Sequence, residues 1–232
     1  MNEEQFAAHE ALVKELNDPV LRAEYARAYD NYKPGFVARL FGYLLVGSGT
    51  LVYGKKPSYS KFKAIEVIAR IPYQSWEVAT YTLLTGLYAD EERAIELTKT
   101  STFSREAQDN ETMHVVVLAQ ICKRLKCEGF FRHVLIPLLF ALFYFWTIYL
   151  LYMISRKSAL ELNYLFENHA YHQYQEFLML HGERLRDTPV FSDFLVFYGR
   201  NPRTEYELFE SIRNDELIHR NRSIRELQAR MK

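Results

Sequence analysis

The stretch VLIPLLFALFYFWTIYLLYMI, Val134 to Ile154, carries no formal charge. By length it meets the roughly 20-residue requirement for a helix that crosses a bilayer. Arg132 and His133 precede it, and Arg156 and Lys157 follow. Cations at both ends set no orientation by the positive-inside rule. A crossing at this point would put residues 1–133 and 155–232 on opposite sides of a membrane. The run therefore forces a choice between two separated halves and one bundle with an apolar helix on its flank. A second apolar stretch, PGFVARLFGYLLVGSGTLVYG, Pro34 to Gly54, holds the lone cation Arg39 and a Gly-Ser-Gly sequence. The glycines predict a helix break there, and the segment before the break is too short to span. It reads as an interfacial helix with Arg39 reaching headgroups or a pocket; a buried core helix is the competing reading.

Helices are the expectation for the rest of the chain. Only 9 Gly and 7 Pro in 232 residues leave little turn chemistry for a β fold. Polar helix is predicted from about 3 to 30, interrupted at Asn17-Asp18-Pro19, where an N-cap acid and an N1 proline restart it. Long helices are predicted from Ser58 to about Tyr88 and from Glu91 to about Leu125, joined by Ala89-Asp90. Two more follow, over 158–183 and 204–230, around the loop sequence RDTPVFSDFLVFYGRNPRT. Lys plus Arg equals Asp plus Glu, 29 each, which argues against a nucleic-acid partner. Cys122 and Cys127 lack zinc spacing and read as reduced, incidental thiols. The N-terminus has neither the apolar core of a signal peptide nor an Arg- and Ser-rich transit composition, although a processed chain would have lost one.

Chemistry enters through a repeated spacing. Glu111-Thr-Met-His114 and Glu216-Leu-Ile-His219 each set an acid and an imidazole three residues apart, on one helical face. Four-helix di-iron carboxylate bundles use two such pairs plus one Glu from each of the other two helices. The predicted helices supply Glu66, then Glu111/His114, then Glu167, then Glu216/His219: single, pair, single, pair. Glu66 lies in FKAIEVIARIPY, an apolar setting where an unpaired charge is costly. The mixed oxygen and nitrogen donors suit iron or manganese better than zinc. Each Glu alone reads as solvated and each His alone as a satisfied core group; the ordered set of six reverses that. Asn110 and Asp215 each precede a pair's Glu and are candidates to orient a ligating His, with Asp215 able to serve His114 or His219. Tyr174, two turns beyond Glu167, reads as packing or as a hydrogen-bond or redox partner of the centre. A transmembrane Val134–Ile154 would separate Glu66 and Glu111 from Glu167 and Glu216, so the ligand logic argues against it.

The segments AIEVIARIPY, NETMH, FENHAYHQYQEFL and IRNDELIH resemble, in order, the four iron-ligand motifs of the alternative oxidase family, in wording closer to its plastid terminal oxidase branch. The resemblance runs from about Arg39 to His219. It departs from mitochondrial members at Ile65-Glu66-Val67, where they have Leu-Glu-Thr, and at Glu167-Asn168-His169, where they have a run of acids. The resemblance implies a membrane-bound quinol oxidase that reduces dioxygen to water without pumping protons. Its two Fe ions would be held by Glu66, Glu111, His114, Glu167, Glu216 and His219. It further implies a redox-active Tyr174, a quinol pocket at Arg39, Ile65, Ala170 and Tyr174, and a monotopic attachment to one leaflet of the lipid bilayer.

The expected fold class is thus all-α: a ferritin-like four-helix di-iron bundle with two additional apolar membrane-associated helices near 34–54 and 130–155. An N-terminal helical arm is expected over 1–33 and the oxidase domain over 34–232. The expected partners are ubiquinol or plastoquinol, dioxygen and the bilayer, with a homodimer or a respiratory complex as further associations and no nucleic acid. A mitochondrial or bacterial inner membrane, or the thylakoid, is the expected location. The rival readings are a non-catalytic oxidase-like subunit of a respiratory complex and another di-iron oxygenase. A shortage of histidines opposes the His-rich hydroxylases, and two greasy helices oppose a soluble ferroxidase.

Overall fold

The computed structural model describes residues 3–228. Among them every named element is helical, and a single isolated bridge pairs Pro189 with Thr204. The arm forms α1 (Glu3–Glu15) and α2 (Pro19–Arg27), and the break falls where Asp18 caps Val20 and Leu21 ahead of Pro19. Next come α3 (Phe36–Tyr53), α4 (Tyr59–Ala69), α5 (Ile71–Thr85) and α6 (Glu91–Leu125). A π-turn over Phe131–Leu135 leads into α7 (Ile136–Ile154). The chain finishes with α8 (Arg156–Arg186), a short α9 (Asp193–Phe197) inside the expected loop, and α10 (Glu205–Gln228).

Local chemistry sets the ends of the bundle helices. Ser58 caps α4 by accepting from Lys61 N, Asp90 caps α6 by accepting from Arg93 N, and Ser155 caps α8 by accepting from Ser158 N. The α6 helix stops where Lys126 turns left-handed at φ 52° and its N–H, with that of Cys127, returns to the last carbonyls. Two helix pairs then make the bundle: α4 and its continuation α5 against α6, and α8 against α10. The arm lies on α10, α3 lies on α8, and α7 covers α5 and reaches α4 and α8.

Two expectations about continuity are corrected. The single helix expected from Ser58 to Tyr88 is divided at Arg70, because Pro72 has no N–H to return to Ile68 and its ring crowds that carbonyl. Conversely, the break expected at Gly47-Ser48-Gly49 does not occur, and α3 runs through it. A glycine costs only about 1 kcal/mol in a helix interior, whereas leaving the backbone of an apolar segment unpaired costs more. Ser48 also returns its hydroxyl to Leu45 O at 2.8 Å.

The two apolar helices border a common groove lined by Phe41 and Leu44 of α3 and by Phe140 and Phe143 of α7. Only 17% of the α3 apolar stretch and 22% of the one ending at Ile154 are buried against protein, so neither is a core helix. Their outer faces expose Phe36, Tyr43, Leu44 and Leu51, and Leu138, Leu142, Phe143 and Trp146.

Candidate metal centre

Four helices aim carboxylates and imidazoles at the bundle axis. Glu66 comes from α4, Glu111 and His114 from α6, Glu167 from α8, and Glu216 and His219 from α10, all at most 2% exposed. Their donor atoms form two groups, Glu66, Glu111, His114 and Glu216 in one, and Glu111, Glu167 and His219 in the other, each within 4.8 Å. Glu111 belongs to both, and Glu216 also lies close to Glu167. The two acids of the Glu-x-x-His pairs therefore lie between the groups, and the single glutamates lie outside.

The fit to a cation rests on what these atoms lack. Both oxygens of Glu111, both of Glu216, Oε2 of Glu167 and Nδ1 of His219 are buried without a hydrogen-bond partner. His219 Nδ1 stands 2.8 Å from Glu111 Oε1, yet the two are not aligned as donor and acceptor. Each such orphan costs about 1–3 kcal/mol. Neighbouring ligands bound at about 2.1 Å in an octahedral shell stand about 3 Å apart, so the separation is that of two donors converging on one ion.

Electrostatics point the same way. Burial and then the charge of Glu111 push Glu66 up to about 8, and the same two causes lift Glu216 well above the carboxylate range. Burial also raises Glu167. Glu111 resists its own burial, because His114 and His219 hold it low. His114 in turn is raised, against burial, by Glu111, Asp215 and Glu216. Without a cation the cluster retains protons to offset its charge, and a divalent ion would displace them.

His114 presents one nitrogen to the acids and the other to Asp215. Its Nδ1 lies 3.3 Å from Glu66 Oε2 and from Glu111 Oε2, and its Nε2 donates to Asp215 Oδ2 at 2.9 Å. The choice left open for Asp215 thus falls on His114. The Oδ1 of Asn110 is buried without a hydrogen-bond partner, in a cavity that Asn110 lines with His219. Tyr174, fully buried on α8, donates to Glu66 Oε1.

Tyr73 carries no signal in the sequence that ties it to the cluster. From α5 it donates to Glu167 Oε1 at 2.6 Å, supported by Asn163. The Pro72 kink that positions it is invisible in the periodicity. Arg200 is equally unmarked: it grips Asp215 from the loop after α9, and no spacing rule links a loop arginine to a helix.

Two cavities approach the cluster from different helices and share no residue. One touches His219 and is lined by His9, Glu106, Asp109, Asn110, Tyr198 and Arg222, with Phe103, Ala107 and Met113. The other is mainly apolar and lies among α3, α4, α7 and α8. Ile65 borders it, together with Phe166, His169 and Lys61; Arg39, Ala170 and Tyr174 do not. Arg39 is exposed on α3, and Ala170 and Tyr174 are buried on α8. Lys61, itself only 2% exposed, donates to Gln173 Oε1 and Lys55 O.

A chloroplastic/chromoplastic protein of Arabidopsis thaliana, ubiquinol oxidase 4, is 24% identical over 182 residues, covering 70% of this chain and 49% of that relative. The chain thus spans about half the length of the curated relative it matches. No solved structure matches. The family model for alternative oxidase matches residues 36–227, which include all four cluster-bearing helices, and on that match the chain belongs to the alternative oxidase family.

Proposed function

We propose that the chain is a membrane-bound quinol oxidase that reduces dioxygen to water at a di-iron carboxylate centre, without pumping protons. The observation that carries this reading is the pair of buried donor groups sharing Glu111 beside an uncovered apolar flank. Glu66, Glu111, His114 and Glu216 would hold one ion, and Glu111, Glu167 and His219 the other. When bound, the two irons supply the one-electron steps that connect a two-electron quinol to dioxygen.

The protein's own groups set the conditions for that chemistry. Asp215 fixes the tautomer of His114, leaving Nδ1 as the donor atom. Tyr174 and Tyr73 each hold one single glutamate, Glu66 and Glu167, from a neighbouring helix. Tyr174 is the proposed redox tyrosine; its proton has an acceptor in Glu66. The apolar cavity would receive ubiquinol or plastoquinol laterally, with Ile65 next to the ligand Glu66 and Lys61 as its cationic end. Ala170 and Tyr174 follow Phe166 of its wall by one and two turns of α8, and Arg39, exposed in the first turn of α3, would meet the headgroups. Two quinols give up four hydrogens, as many as one dioxygen needs to become two waters, so turnover requires no net proton from solution.

Attachment through one leaflet follows from the position of α7. It connects α6 to α8, and carboxylates from both belong to one cluster. A helix that crossed the bilayer there would part them, so α3 and α7 lie in one face of a membrane that holds a quinol pool: thylakoid, mitochondrial inner or bacterial inner. A non-catalytic subunit would need no six convergent donors, which favours the enzyme. Oxygen uptake by purified protein with quinol, alongside an iron count, tests the reading: iron-loaded protein is expected to consume oxygen, and iron-loaded protein that oxidises no quinol overturns it.

A further inference from the structure

The arm α1–α2 lies outside the family match, which begins at residue 36, yet it reaches the centre. Asp215, fully buried, is the node. Its Oδ2 accepts from His114 Nε2 at 2.9 Å, and its Oδ1 accepts from His9 Nε2 at 2.8 Å and from Arg200 Nη2 at 2.7 Å. Arg200 Nη1 closes a second bond to Oδ2. The far side of the same guanidinium is taken by Glu10, which accepts from Nε at 2.9 Å and from Nη2 at 2.7 Å. Two consecutive arm residues therefore feed the one carboxylate that holds a ligating histidine.

We propose that His9 and Glu10 are positioning residues for His114, acting through Asp215 and Arg200, so that the arm locks the metal site. Charge counting gives the reason. Arg200 alone against Asp215 is a neutral pair, and its bidentate grip would compete with His114 for the same oxygens. Glu10 supplies a second negative charge, divides the guanidinium between two carboxylates and leaves Asp215 electron-rich toward His114. His9 occupies the remaining direction of Oδ1 and stops the carboxylate from rotating away. Val13 and Leu16 pack the arm on Leu217 and Ile218 of α10, an apolar contact separate from the hydrogen bonds of His9 and Glu10. This inference rests on reading the cluster as a metal centre.

Full-length protein loaded with ferrous iron and challenged with excess ferrous chelator tests it. Loss of an outer partner of a metal ligand typically costs 10–100-fold in affinity, so His9→Ala and Glu10→Gln, one bond further out, are expected to release iron about tenfold faster. His9→Gln, which keeps a donor in place, should restore retention. Val13→Ala trims the apolar contact with α10 and leaves the hydrogen bonds of His9 and Glu10 in place, so it should lower thermal stability while releasing iron at the wild-type rate. Imidazole NMR of metal-free protein supplies a readout that needs no iron. The His114 Nε2–H resonance should lie far downfield and shift upfield in His9→Ala and Glu10→Gln. Unchanged iron release and an unmoved resonance overturn the lock. So does Val13→Ala matching the network variants, since the arm would then be merely structural. Protein that takes up no iron but shows the resonance shifts would sink the oxidase reading and leave only the positioning of His114 by the arm.

Discussion

Helices α10 and α7 invert each other. The α10 sequence is crowded with charge, yet Glu205, Arg213, Asp215, Glu216, His219 and Arg220 are all buried. The α7 sequence contains no charged residue, yet Leu138, Leu142, Phe143, Trp146, Leu150 and Ile154 are exposed. In an ordinary globular domain the assignments would be reversed. Charge tolerates burial on α10 where partners surround it, Arg200 for Asp215 and Asn168 with Ala26 O for Arg220, while Glu216 and His219 are left to face the other donors of the cluster. Apolar surface tolerates exposure on α7 only where its solvent is itself apolar. The inside of this molecule is organised by charge pairing, and one of its outsides is the apolar surface that the proposed attachment to lipid would use.

That inversion can be challenged on both helices. On the inside, Glu111→Ala removes the residue common to both donor groups, and both ions should be lost. Metal analysis and oxygen uptake should fall to background; retained metal would contradict the shared-ligand arrangement. On the outside, Leu142→Arg places a cation on the exposed face of α7. An arginine at the centre of a membrane-embedded helix costs about 3 kcal/mol, so liposome flotation should show partitioning weakened by roughly a hundredfold. An unaffected partition would mean that α7 faces water or another protein.

Smaller effects probe the same inside and outside more finely. Glu66 stands at about 8 in the metal-free protein, above its ordinary 4.5. A carboxyl raised by folding costs stability as pH rises: the penalty is absent below the unfolded value, grows between the two values and is complete above the folded one. Thermal melts of metal-free protein should therefore fall from about pH 5 to about pH 8, and metal-loaded protein should lose this slope. Tyr73→Phe deletes one hydrogen bond to Glu167, worth about 1 kcal/mol, and should lower turnover about fivefold with the iron content intact. Finally, raising salt from about 0.1 to about 1 M shortens the screening length from about 10 to about 3 Å. Membrane-bound protein should stay bound, and only detergent should release it. Release by salt would assign attachment to surface charge rather than to α3 and α7.

Much of this arrangement is legible in the order of residues. The run Val134–Ile154 marks the apolar helix, and the order Glu66, Glu111/His114, Glu167, Glu216/His219 marks which helices must meet. Both signals are local: one is composition along a segment, the other a spacing that places donors on one face. Continuity is less legible. A proline at position 72 allows either a boundary or a bend, and the glycines of α3 allow a break that the apolar surroundings suppress. Residues without a spacing relation to the pairs stay hidden, Tyr73 because it lies past the kink and Arg200 because it comes from the loop after α9.

Helical class, the apolar flank and the six donors are written along the chain, since each follows from periodicity or residue chemistry within a few turns of one helix. Packing was needed to establish that Glu111 is held in common, that Asp215 serves His114 rather than His219, and that an arm outside the family match completes that network. Those outcomes depend on distances between residues up to 206 positions apart, such as His9 and Asp215. Such distances are fixed by how the helices pack, which no single segment encodes.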